Sequence, residues 1–105
     1  MEKHVKLSYL IDIYSGLLTE KQRQIISLYA EEDITVSEIA QMTGVSRQAV
    51  SELIKRIEKI LHSYDKKLFL LDKYLYNIGL CNELEKHIEH DEEAKDILTK
   101  LKENL

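Results

Sequence analysis

The side chains with the most capacity for specific hydrogen bonding gather within eleven residues, 46–56. Arg47 carries a planar fork of donors that matches the O6/N7 edge of guanine, and the Gln48 carboxamide matches the N6/N7 edge of adenine. Ser46 can contact phosphate through a hydroxyl that also competes for a helix-capping role. Ser51 stands one turn beyond Arg47, and Lys55 and Arg56 lie farther along for phosphate contact. These residue types recognise a ligand and make or break no bond. No glycine-rich phosphate loop, HisGluXaaXaaHis zinc motif or nucleophile elbow accompanies them, so the reading is non-enzymatic. The single Cys81 is six positions from His87, off its helical face, and reads as a packing residue. His87 and His90 have no matching Cys/His array, so neither metal nor cofactor is expected.

Recognition side chains need a rigid mount, and the residues around them predict one. Thr35 followed by Glu38 makes a capping box that opens a short helix to about Met42. Gly44 suits a left-handed turn, and Ser46 caps a second helix beginning at Arg47. Ile39, Ala40, Gly44, Val45, Val50 and Leu53 form the expected core of a helix-turn-helix over about 35–58. Upstream, Leu7, Leu10, Ile11 and Tyr14 mark a helix over about 3–15 that breaks near Gly16. Thr19 and Gln22 form another capping box, starting a helix to about Tyr29 with Ile25, Leu28 and Tyr29 on its buried face. Three glycines and no proline leave little material for tight β-turns. The fold class is all-α, a single wingless helical domain over 1–105 with an extended C-terminal helical portion.

From Val50 the apolar positions run Ile54, Ile57, Leu61, Tyr64, Leu68, Leu71, Leu75 and Ile78, with alternating steps of four and three. An unbroken helix over 47–78 would extend about 48 Å, longer than so small a domain covers alone. Either the helix breaks near His62, with Ser63 or Asp65 as caps, or the stripe finds company. The second alternative makes Leu61, Tyr64, Leu68, Leu71, Leu75 and Ile78 a dimer interface within a segment over about 59–90. Gly79 disrupts the phase, and Asp91 caps a last amphipathic helix bearing Ala94, Leu98, Leu101 and Leu105.

Net charge is −4, from 15 basic and 19 acidic residues, so overall attraction to a polyanion is excluded as a driving force. The distribution is uneven: −2 over 1–34 (4 − 6), +2 over 35–67 (6 − 4) and −4 over 68–105 (5 − 9). A local basic segment thus coincides with the recognition residues, while Glu52 and Glu58 partly offset it. No apolar run approaches a membrane span, no signal peptide is evident, and cytoplasmic residence is the expectation.

Leu17, Leu18, Thr19, Glu20, Lys21, Gln22 and Arg23 precede Leu28 and Tyr29, then Glu38, Ile39 and Ala40, then Gly44 through Val50. Ile54, Arg56, Glu58, Leu61 and Tyr64 through Leu68 follow in matching order. In these residues the chain resembles the YlxM family, small bacterial helix-turn-helix proteins similar to region four of sigma factors. Asp65 stands where glutamate is usual. The resemblance implies a DNA-binding or regulatory protein with a functional link to the signal recognition particle pathway. The chain lacks the length for the other domains of a sigma factor, which points to an accessory regulator. The alternative is a helical adaptor that keeps the helix-turn-helix shape and binds a protein partner without reading DNA.

Overall fold

The computed structural model describes residues 1–105 and is helical throughout, without a strand. Six helices follow in order: α1 Lys3–Tyr14, α2 Glu20–Ala30, α3 Val36–Thr43, α4 Arg47–Leu68, α5 Leu70–His87 and α6 Glu92–Glu103. A single 3₁₀ turn, Ser15–Leu17, closes α1 at the expected break. Where one domain was expected, the chain divides into two compact units, Met1–Phe69 and Leu70–Leu105.

In the first unit α4 packs against α1, α2 and α3. Its core takes Leu7, Leu10, Ile11 and Tyr14 from α1 and Ile25, Ile26 and Ala30 from α2. Ile39 and Ala40 come from α3, and Val50, Ile54, Ile57 and Leu61 from α4. Both capping boxes form: the Thr19 hydroxyl accepts from the Gln22 N–H at 3.1 Å, and the Thr35 hydroxyl accepts from the Glu38 N–H at 3.1 Å. Each satisfies a backbone donor that the helix itself leaves unpaired.

The face of α2 differs from the sequence expectation. Ile26 and Ala30 are buried beside Ile25, whereas Leu28 and Tyr29 are only half-buried. Tyr29 is held at the margin by polar partners. Its ring lies 4.6 Å from that of His4, and its hydroxyl accepts from the Lys3 ammonium at 3.4 Å. Lys3 also pairs with Glu58 of α4 at 3.4 Å. The bond to Tyr29 first, and then the attraction of Glu58, hold the Lys3 pKa above its ordinary value.

The long apolar stripe is interrupted, at Phe69 and not near His62. α4 runs through His62 to Leu68, and Phe69 turns left-handed at φ 56°, its N–H donating to the Asp65 carbonyl at 2.8 Å. The Asp65 side chain reaches out of the helix. It accepts from the Tyr14 hydroxyl at 2.8 Å, tying α4 to α1.

The supposed dimer stripe is therefore split. Leu61 is in the first unit's core, Tyr64 stacks on Tyr14 at 6.4 Å, and Leu68 is 47% exposed. In the second unit Leu71 is buried and Leu75 and Ile78 are half-buried. Most of these side chains are already occupied within the monomer.

α5 continues through Gly79, a tolerable loss of about 1 kcal/mol relative to Ala in a helix interior. Residues 88–91 return the chain, Asp91 caps α6 by accepting from the Ala94 N–H at 3.0 Å, and α6 packs back on α5. Lys102 of α6 donates to Glu85 of α5 at 2.7 Å. That hydrogen bond, with the accompanying charge attraction, holds the Glu85 carboxyl below the usual range. Cys81 and Leu98 are buried.

Candidate nucleic-acid interface

α3 and α4 meet across a corner of three residues. The Thr43 hydroxyl donates to the Ile39 carbonyl at 2.8 Å, and Gly44 ends the helix with φ 73°, its N–H donating to the Ala40 carbonyl at 2.9 Å. A side chain at Gly44 would meet nothing within 4 Å, so the left-handed backbone alone demands glycine. Gly44→Ala is accordingly expected to lower stability by about 1–2 kcal/mol, with Gly44→Asn milder, as a thermal melt would register.

Ser46 then caps α4, its hydroxyl accepting from the Ala49 N–H at 3.1 Å. Capping uses a lone pair and leaves the O–H free to donate outward. Thus capping and ligand contact do not exclude one another.

Ile39 and Ala40 are buried, Val50 is buried, and Leu53 is half-buried. Val45 departs from its expected core role at 41% exposure. It lines a groove with Lys21, Ile25, Thr43, Ala49 and Leu53, at the edge of the α2–α4 packing.

Arg47, Gln48 and Ser51 line one shallow depression together with Val36 of α3. Three of the sequence-predicted contact residues are thereby brought together, with the Ser46 cap directly before them. Val36 was not among the predicted residues, because an apolar side chain at a helix start gives no polar signal. Gln48 donates one amide hydrogen to Glu52 at 3.3 Å, which leaves its second N–H and its carbonyl oxygen available.

At 100° per residue, Lys55 stands about 80° from Arg47 around the α4 axis, on the same side as Gln48 and Ser51. Lys59 and Lys66 extend that line by further steps of four and seven. Arg56 is about 100° away from Lys55. It turns toward a different groove, lined by Leu17, Lys59, Ile60, Ser63, Tyr64 and Lys67. Arg56 thus separates from the Arg47, Gln48 and Ser51 depression; Lys59, which shares its groove, stands between it and Lys55 around the helix, and Lys66 falls on the Lys55 side. The helical period of the polar residues over 47–67 carries this signal in the sequence.

Arg47, Lys55, Lys59 and Lys66 make no ion pair. Glu58, expected to dilute the basic segment, is held by Lys3 on the α1 side, which leaves Glu52 as the carboxylate nearest the depression. No group of three or more His, Cys, Asp or Glu side chains is placed to hold a metal ion. No helix is long and apolar enough to cross a membrane.

The corner, its left-handed glycine and the capped second helix are the parts of a helix-turn-helix. The family model described as "UPF0122: Putative helix-turn-helix protein, YlxM / p13 like" matches residues 1–102. The chain belongs to this family. Among its relatives, a UPF0122 protein of Clostridium perfringens strain SM101 is 43% identical over 109 aligned positions, covering 100% of this chain and 97% of the relative. One from Geobacillus sp. strain WCH70 is 41% identical over 107, covering 98% and 97%. A UPF0122 protein of Clostridium botulinum strain Alaska E43 is 52% identical over 73, covering 70% of this chain and 67% of the relative. The family match reaches past α4 and α5 into α6, so the second unit is as much a family feature as the helix-turn-helix.

Proposed function

We propose that the protein is a DNA-binding regulator that reads base edges with the first turns of α4. The observation that carries this reading is the exposed depression shared by Arg47, Gln48 and Ser51 at the start of a capped helix. A B-form major groove about 12 Å wide admits one α-helix, and a helix entering by its N-terminus presents these side chains first. The C-terminal half of α4 anchors the reader, through buried Ile57 and Leu61 and the bond between Asp65 and Tyr14. Lys55 and Lys59 take phosphates on the same side. No catalytic step is assigned to the protein. Its regulatory setting is the signal recognition particle pathway, a proposal that rests on the family resemblance of residues 17–68.

Selection from a random DNA pool with the purified protein tests the reading. Enrichment of a defined motif is expected, and an unenriched pool at both low and physiological salt would sink it. Glu52 sits beside the reading surface and repels phosphate, besides holding Gln48. Glu52→Gln should strengthen binding to any duplex by a few-fold, with the gain fading as salt rises. A fluorescence anisotropy titration would register it.

A further inference from the structure

The second unit buries little of its own apolar surface. Leu71, Cys81 and Leu98 are its buried side chains. Tyr76, Leu80 and Leu84 on α5 and Ile97 and Leu101 on α6 are exposed, Tyr76 at 69% and Ile97 at 61%. A helical segment this short rarely stands without added support, and an outward apolar surplus is the opposite of what a self-sufficient hairpin shows.

These five residues are not scattered. On each helix they recur at every fourth position, forming a line along one side. Leu80 directly precedes inward-facing Cys81, and Leu84 precedes Glu85, which reaches across to α6. Likewise Ile97 precedes buried Leu98, and Leu101 precedes Lys102, which reaches across to α5. Each exposed residue is therefore rotated about 100° in the same sense from the contact between the helices. The connection over 88–91 is short and the two helices pack together, so they run antiparallel. In an antiparallel pair, equal rotation of the same sense falls on one side. The two lines thus join into a single apolar face.

Its size indicates what covers it. At about 100 Å² of exposed side chain apiece, five residues supply roughly 500 Å² per copy and roughly 1,000 Å² across a symmetric pair, the least that a specific interface buries. We infer that this face pairs with the same face of a second copy, α5 and α6 of each chain closing into a four-helix arrangement. The dimer contact is then distinct from the Leu61–Ile78 stripe and does not depend on DNA binding.

Sedimentation equilibrium of the full chain tests the pairing. The wild-type protein should sediment at twice the chain mass, and Leu80→Glu combined with Leu101→Glu should raise the dimer dissociation constant about a hundredfold or more. Leu68→Glu, an exposed position in the first unit, should leave the dimer intact. Circular dichroism must show unchanged helicity in the double variant; if helicity falls, Ile97→Lys is measured in its place. A monomeric wild-type chain would overturn the inference and assign the face to another partner. Persistence of the dimer in a folded variant would overturn it too, as would its loss in Leu68→Glu.

Discussion

Replacing Arg47 and Gln48 together by Ala should remove about 2–6 kcal/mol of preference for the recognised DNA sequence, two bidentate contacts at about 1–3 kcal/mol each. At tenfold per 1.4 kcal/mol, this lowers specific affinity by about thirtyfold to about ten-thousandfold. Folding should not suffer, because both side chains are exposed and neither contributes to the core. Away from caps and cores such changes stay within about 0.5 kcal/mol. Binding to unrelated duplex should fall only modestly, through the single positive charge lost with Arg47. A competition titration of the selected duplex against a scrambled one measures this separation directly. Equal loss on both duplexes would mean that the pair supplies charge and reads nothing.

The second large effect lies on the opposite side of the same helix. Ile57 has no exposed surface and sits midway along α4, which packs against α1, α2 and α3. Ile57→Ala removes three buried carbons and leaves a cavity that surrounding helices fill only in part. A loss of about 2–5 kcal/mol is expected. Against a total stability of about 5–15 kcal/mol for a small domain, the change is a large share. Denaturant unfolding followed by circular dichroism should show the midpoint fall with the slope nearly unchanged. Affinity for DNA, measured where the variant remains folded, should be close to wild type. The proposed function thus assigns two roles to two faces of one helix, stability to the Val50–Ile54–Ile57–Leu61 side and recognition to the Gln48–Ser51–Lys55 side.

Local chemistry made the first four helices legible before any coordinates. Thr19, Thr35 and Ser46 each cap a helix by accepting a backbone N–H within three residues, and Gly44 turns the chain by its own backbone freedom. Such signals act over one turn of helix and survive in a linear reading. Periodicity also placed the buried side of α4 correctly, from Val50 to Leu61.

Tertiary choices were less accessible. The stripe from Val50 to Ile78 has no sequence feature at Phe69 that breaks helices, and a left-handed bulky residue is not written in propensity. The bond between Asp65 and Tyr14 spans 51 residues, beyond the reach of local capping signals. Glu58 looked like a drag on the basic segment, since its pairing with Lys3 is invisible to a charge sum. Val45 had the composition of a core residue and the position of a surface one. In the second unit the apolar stripe takes in Leu71, Leu75 and Ile78, which are buried or half-buried, and passes over the exposed Leu80 and Leu84.

The −4 net charge takes on a sharper meaning with the structure. Most of the acidic excess belongs to 68–105, almost all of it in the second unit, while the side of α4 carrying Gln48, Ser51, Lys55 and Lys59 keeps its cations unpaired. On the proposed reading few phosphates are neutralised, so weak non-specific attraction and discrimination by base contacts are expected. The most direct measurement is therefore the affinity of the wild-type protein for its selected duplex and for a scrambled duplex across a salt series. The account predicts that the selected duplex is bound at least about a thousandfold more tightly at physiological salt, with a shallow slope reflecting about two to three phosphate contacts. Equal affinities for the two duplexes at every salt concentration would contradict it.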